Sequence, residues 1–178
     1  SKMTYEAIYV AIMTDTGSFS YNNTNVLCHE IAANAIKAGV DTAQIHQNIY
    51  GSRSRSRIKL LAAIADNLQF TYNDKLVWFT ITKEMLQNAN ATKDDVDGFT
   101  DFARAIKGVE VSLMILENED NSCRINFRSK GIYTINKIAQ HFNGGGHLYA
   151  AGAKVNGKII DVASKVVDKT IEIMQGQE

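Results

Sequence analysis

Asn143-Gly144-Gly145-Gly146-His147 is the segment whose residue types are hardest to explain by packing alone. Each interior glycine costs roughly 0.5–1 kcal/mol relative to alanine through chain entropy. Three in a row therefore point to backbone angles that are put to use. One use is an anion nest, in which successive N–H groups converge on a phosphate. The small residues of His147–Gly152 read as a helix whose N-terminus faces the same anion, with His147 at the rim as a donor. The other reading is a flexible turn between a helix and a strand.

Arg128 is the second candidate. In Ile125-Asn126-Phe127-Arg128-Ser129-Lys130 the apolar residues alternate with polar ones, so Asn126 and Arg128 share one face of a strand. An arginine at a strand end offers a two-pronged grip on phosphate, or simply faces solvent. Asp15 is the third, in Thr14-Asp15-Thr16-Gly17-Ser18-Phe19. An aspartate on a tight turn suits a hard divalent cation, and equally suits a hydrogen bond to its own turn. Arg53, Arg55, Arg57 and Lys59 read as a solvated helix face or linker, with nucleic-acid contact as the minor alternative. His29, His46 and His141 lack metal-ligand spacing.

The elements that carry these residues change character along the chain. Short helices are expected to about residue 52. They comprise an apolar one ending at Thr14–Gly17, one capped by Thr24 or Asn25 and stopped by Gly39, and one opened by Asp41 or Thr42. Ile58, Leu61, Ala65 and Leu68 form one stripe of a helix from Arg53 to Gln69. Leu76–Ile81 is rich in β-formers and reads as a strand. A short helix at Lys83–Asn88 and one from Asp94 or Asp95 to Lys107 follow. Val109–Glu117 and Cys123–Arg128 form a hairpin about the tip Asn118–Asn121. Thr134 is expected to cap a helix carrying Ile135, Ile138, Ala139 and Phe142, and a strand near Ala153–Val155 precedes a last helix. The fold class is α/β. A C-terminal mixed-sheet domain at 70–178 with flanking helices follows a helical segment, 1–52, and a connector helix, 53–69.

Composition narrows the class. The chain has 178 residues, 45% of them hydrophobic and 21% charged, which describes a globular protein rather than a disordered one. No apolar run approaches the ~20 residues of a spanning helix, so no membrane partner is expected. Nineteen basic residues balance nineteen acidic ones, and a dedicated duplex binder usually shows a basic excess. Cys28 and Cys123 fit neither a zinc pattern nor a disulfide framework and read as idle thiols in a reducing cytoplasm. There is no proline, so breaks are read from Gly, Asn and Asp. The start, Ser1-Lys2-Met3, is not a secretory signal.

Four motifs then occur in order: TDTGSF at 14–19, RIKLL at 57–61, FRS at 127–129 and GGGHLYAAGA at 144–153. This set resembles the DHH phosphoesterase family, in the RecJ-like branch that includes nanoRNase and phosphoadenosine-phosphate phosphatases. GGGH followed by AAG is the specific mark of that family's DHH-associated C-terminal domain. The resemblance implies that Asp15 ligates Mn²⁺, and that Gly144, Gly145, Gly146 and His147 grip the substrate phosphate. It further implies that Arg128, with Ser129 beside it, pairs with a phosphate. It also implies substrate held in a cleft between domains, two metals that activate a water, and exonuclease or oligoribonuclease activity on short oligonucleotides or a nucleoside bisphosphate. The Asp-His-His triplet and the upstream ligands do not occur. The expectation is a C-terminal part of such an enzyme, inactive and without stoichiometric metal by itself. The expected partner is a nucleotide phosphate, and a homodimer is compatible with the sequence. The same associated domain resembles the C-terminal domain of alanyl-tRNA synthetases, so a non-catalytic RNA-binding module is the alternative.

Overall fold

The computed structural model describes residues 1–178, which divide into two compact units, Ser1–Arg53 and Ser54–Glu178. The first unit is helical, with α1 at Lys2–Asp15, α2 at Val26–Lys37 and α3 at Thr42–Tyr50. Each start has a side-chain cap. Asn25 accepts the Cys28 amide at 3.1 Å, and Asp41 accepts the Gln44 amide at 2.9 Å. Gly39 ends α2 in the left-handed region at φ +83°, which lets the Val40 amide reach back to the Ala35 carbonyl at 3.1 Å. Tyr9, Met13, Ala35 and Val40 form a small core here.

The second unit is built on a six-stranded mixed sheet of order β1-β2-β3-β4-β6-β5. The strands are β1 Gln69–Thr71, β2 Leu76–Ile81, β3 Val111–Glu117, β4 Ser122–Ser129, β5 Gly145–His147 and β6 Ala150–Asn156. Only β2 and β3 pair in parallel. A parallel pair needs a crossover, and it is supplied by α5 at Lys83–Ala89, a 3-10 turn at Lys93–Val96 and α6 at Phe99–Arg104. The expected helix from Asp94 to Lys107 is thus broken. Asp97 leaves the helical region and Gly98 takes φ +78°. The helix expected over 53–69 is α4, Arg55–Ala65, and it stops short because Gln69–Thr71 joins the sheet edge. Its Leu60 and Ile64 are fully buried in the second unit's core.

Arg57 is no solvated residue. Its guanidinium donates to the carbonyls of Asp95 and Asp97 and lies 4.4 Å from the centre of the Phe99 ring, tying α4 to the 3-10 turn. Thr134 does not cap α7, which runs Asn136–His141 with Ile135 at its cap position. The Thr134 amide and hydroxyl both donate to Gln177 Oε1, at 2.8 and 3.0 Å. The last helix, α8, spans Ile159–Gln175.

Two cores lie on opposite faces of the sheet. On one face α7 and α8 pack over residues of β2, β3, β4 and β6, Ile125, Phe127, Ala151 and Ala153 among them. On the other face Leu60, Ile64, Val77, Phe79, Phe99 and Met114 pack together over β2 and β3. Beyond α6, which borders β4, the β4-β6-β5 part of this second face bears no apolar core. Its outward residues Arg124, Asn126, Arg128, Ala150 and Gly152 are half-buried, and Gly145, His147 and Lys154 are exposed.

Candidate phosphate-binding face

Strand pairing sets the uncovered residues in rows, because directly opposed residues share a face. His147 pairs with Ala150 and Ala150 with Arg128. Gly145 pairs with Gly152 and Gly152 with Asn126. Lys154 pairs with Arg124. The first row therefore has an imidazole and a guanidinium at its ends, two strand spacings or ~10 Å apart, across a single methyl group. The second row has no side chain on two of its three positions. An anion settling on this floor meets donors from both sides and little steric bulk beneath.

The hairpin carrying His147 is fixed to the strand carrying Arg128. Its turn is Leu148-Tyr149. The Tyr149 carbonyl accepts the Ser129 amide at 3.0 Å, and the Leu148 carbonyl accepts the Ile135 amide at 2.8 Å. The residues His147–Gly152 are thus hairpin, not the helix expected from their small side chains. With that correction goes the idea of a helix N-terminus aimed at the anion. Alanine and glycine here serve close strand contact instead.

The three glycines have different reasons. Asn143, at φ +57°, ends α7, and the Gly144 amide returns to the Ala139 carbonyl at 2.8 Å. That N–H is already taken, so a nest of three free amides does not form. A Cβ on Gly144 would lie 2.2 Å from the Gly152 carbonyl oxygen. A Cβ on Gly146 would lie 2.5 Å from the Ala150 carbonyl oxygen, and its φ is +143°. Both are demanded by the close approach of β6. Gly145 meets nothing within 4 Å. The fold does not need a glycine there.

Arg128 is held but not saturated. Its Nη1 donates to the Phe127 carbonyl at 3.0 Å, and its Nε stands 3.5 Å from Asp101 Oδ2. Asp101 in turn faces Arg104, with Nη2 at 3.1 Å, and Arg104 Nη1 donates to the Ser129 carbonyl at 3.0 Å. Asp101 and Arg104 were not singled out in the sequence. They lie one helical turn apart on α6 and nothing in their spacing links them to Arg128 and Ser129, 24 or more residues away. Ser129 is buried on the opposite face, and its Oγ accepts the Gly131 amide at 3.1 Å. It shapes the turn after β4 and presents nothing to the open face.

Asp15 lies in the first unit, exposed at the end of α1. Asn23 Nδ2 donates to its Oδ2 at 3.0 Å and to its carbonyl at 3.1 Å. The turn beside it is unusual, because Gly17, Ser18 and Phe19 all take positive φ, at 55°, 57° and 64°. No three His, Cys, Asp or Glu side chains gather anywhere in the chain in a way that could hold a metal ion. A lone carboxylate is not a two-metal centre.

Residues 73–173 match the DHHA1 domain family. Among curated proteins, the chain is similar to the bifunctional oligoribonuclease and PAP phosphatase of Thermus thermophilus, at 30% identity over 88% of this chain and 46% of that one. It is also 30% identical to the Bacillus subtilis protein of the same description, over 84% of this chain and 47% of that one. The chain spans about half the length of these curated relatives. Among solved structures, an exopolyphosphatase-related protein from Bacteroides fragilis matches with a TM-score of 0.88 at 30% identity, covering 98% of this chain and 52% of that one. With most of the Ser54–Glu178 unit inside the matched region, the chain belongs to the DHHA1 domain family, in the nanoRNase branch of the DHH phosphoesterases.

Proposed function

We propose that this chain is the substrate-holding part of a Mn²⁺-dependent phosphoesterase of the cytoplasm that hydrolyses short oligoribonucleotides or nucleoside bisphosphates. The observation that carries the reading is the row His147–Ala150–Arg128, which sets two donors on either side of a floor that is nearly free of side chains. A terminal phosphate on that floor takes charge-assisted hydrogen bonds from Arg128 and a further donor from His147. Gly145 leaves room for the ribose or base attached to it. The half-buried setting of Arg128 strengthens its attraction for an anion relative to a fully solvated arginine.

The chain's part in the reaction is positional. By anchoring one phosphate it fixes where the neighbouring phosphoester sits, which lowers the entropic barrier to attack. The divalent cations, when bound, supply charge neutralisation and an activated water. The residues described here do not by themselves fit such a centre, so the metal chemistry is assigned to the protein at the full length its gene encodes, with Asp15 as one ligand. The relatives' activities, on oligoribonucleotides and on PAP, support this substrate class.

The test is hydrolysis by the full-length protein with Mn²⁺, using a 5′-phosphorylated dinucleotide and phosphoadenosine phosphate. Turnover of either is expected, with Arg128→Ala raising KM about tenfold or more through loss of a charge-assisted contact. No turnover of either substrate, together with salt-dependent RNA binding, would replace this reading with the non-catalytic RNA-binding one.

A further inference from the structure

We infer that Arg124 is a second phosphate contact, which engages oligonucleotides long enough to run along β4 and leaves nucleoside bisphosphates untouched. This rests on the proposed function above and names which of its two substrate classes the third row of the sheet serves.

Three observations meet at Arg124. It projects from the same face as Arg128, four residues along the strand and therefore ~13 Å away. Between them lies the second row, Asn126, Gly152 and Gly145, an amide and two positions without side chains. Finally, Arg124 lacks the partner that its neighbours have. Arg128 faces Asp101, and Lys154, directly opposite Arg124, is paired with Asp120 at 2.7 Å. Arg124 makes no ion pair, and its Nε and Nη2 are closed to solvent with no hydrogen-bond acceptor. A guanidinium with two orphaned donors is held at a cost, and an anion that draws the side chain outward relieves it.

The two phosphates of a nucleoside bisphosphate hang from one ribose. Arg128 and the Gly145–His147 edge are enough to hold them. A strand longer by a nucleotide or two carries its next phosphate past Asn126 to Arg124. The amide between the two arginines can bond a base or ribose edge, which favours an oligonucleotide over a bare chain of phosphates of equal charge.

The experiment is equilibrium binding to the 178-residue chain of three probes: the 5′-phosphorylated trinucleotide pApApA, phosphoadenosine phosphate and inorganic tripolyphosphate. Arg124→Gln is expected to weaken pApApA about tenfold, the worth of one charge-assisted contact. It is expected to leave phosphoadenosine phosphate within about twofold. Arg124→Lys, which keeps the charge, should recover part of the loss, and thermal melts of both variants report whether the fold is intact. Arg128→Ala should weaken both nucleotides. If Arg128→Ala weakens both but Arg124→Gln weakens neither, or both alike, the second contact is overturned and the proposed function stands. A loss confined to tripolyphosphate overturns the nucleotide assignment. If the unsubstituted chain binds neither nucleotide, the underlying reading fails and this one with it.

Discussion

Asp101 Oδ2 stands 3.5 Å from Arg128 Nε, so the arginine proposed to meet phosphate already faces a carboxylate. Asp101 and a phosphate oxygen compete for the same guanidinium, while Arg104 shares the carboxylate from its other side. The pair is about one-third exposed on both sides, so its strength is that of a screened surface pair rather than a buried one. Asp101→Asn should therefore tighten phosphoadenosine phosphate binding about threefold at low salt, with the gain fading as salt rises. Calorimetric titration at two ionic strengths checks this, and weaker binding by the variant would instead make Asp101 an orienter of Arg128.

The glycine run separates packing from binding. Gly144→Ala and Gly146→Ala each force a Cβ into the β6 backbone and should each cost about 2–3 kcal/mol in denaturant unfolding. Gly145→Ala has open space and should stay within ~0.5 kcal/mol of the parent. It should nonetheless weaken nucleotide binding, because the added methyl stands on the floor of the face. A Gly145→Ala variant that binds normally would remove Gly145 from the site.

The tip of the β3–β4 hairpin has its own acid response. Hydrogen bonds from Lys154 and then Ser122 hold the Asp120 carboxyl down to about 2. A lowered folded-state value means that the stabilisation is complete above the ordinary carboxylate value of ~3.9 and disappears as pH falls through about 2. A carboxyl NMR titration should find the Asp120 midpoint well below the ordinary carboxylate value. Lys154→Ala should return it towards the ordinary value, and an unchanged midpoint would show that Lys154 is not the cause.

The two thiols should behave differently. Cys123 is fully buried on β4, and burial pushes its pKa up, which lowers the thiolate fraction. Cys28 is half-buried near the start of α2. A thiol reagent should modify Cys28 in the native chain and reach Cys123 only on unfolding. Two fast equivalents in the native state would contradict the buried setting of Cys123.

The ends of α2 and α3 and the central hairpin were legible because each rests on local chemistry. Asn25, Asp41 and Gly39 cap as their types dictate, Ser122–Ser129 alternates as a strand with one covered face should, and Val111–Glu117 is a continuous apolar run buried on both faces. The edge strands β1 and β5 were not legible. Each has three residues, too few to show a period, and each exists only because a longer neighbour offers a free edge. The same cause misled at His147–Gly152, where small residues suit a tight helix and a close strand pair equally. Arg128 could be found by its place in β4. Arg124 carries the same period-two signal through Asn126 and could have been found with it. Its lack of an acceptor could not, because that depends on residues from other strands.

Strand β4 has a consequence for how this protein can change. Ile125 and Phe127 belong to the core while Arg124, Asn126 and Arg128 belong to the open face, in strict alternation along one strand. A slip of one residue would turn the core outward and the arginines inward. Insertions and deletions in β4 are thereby closed as a route to new specificity, whereas substitutions at the three outward positions leave Ile125 and Phe127 in their core. Homologues that differ in ligand should diverge at those alternate positions and keep their spacing.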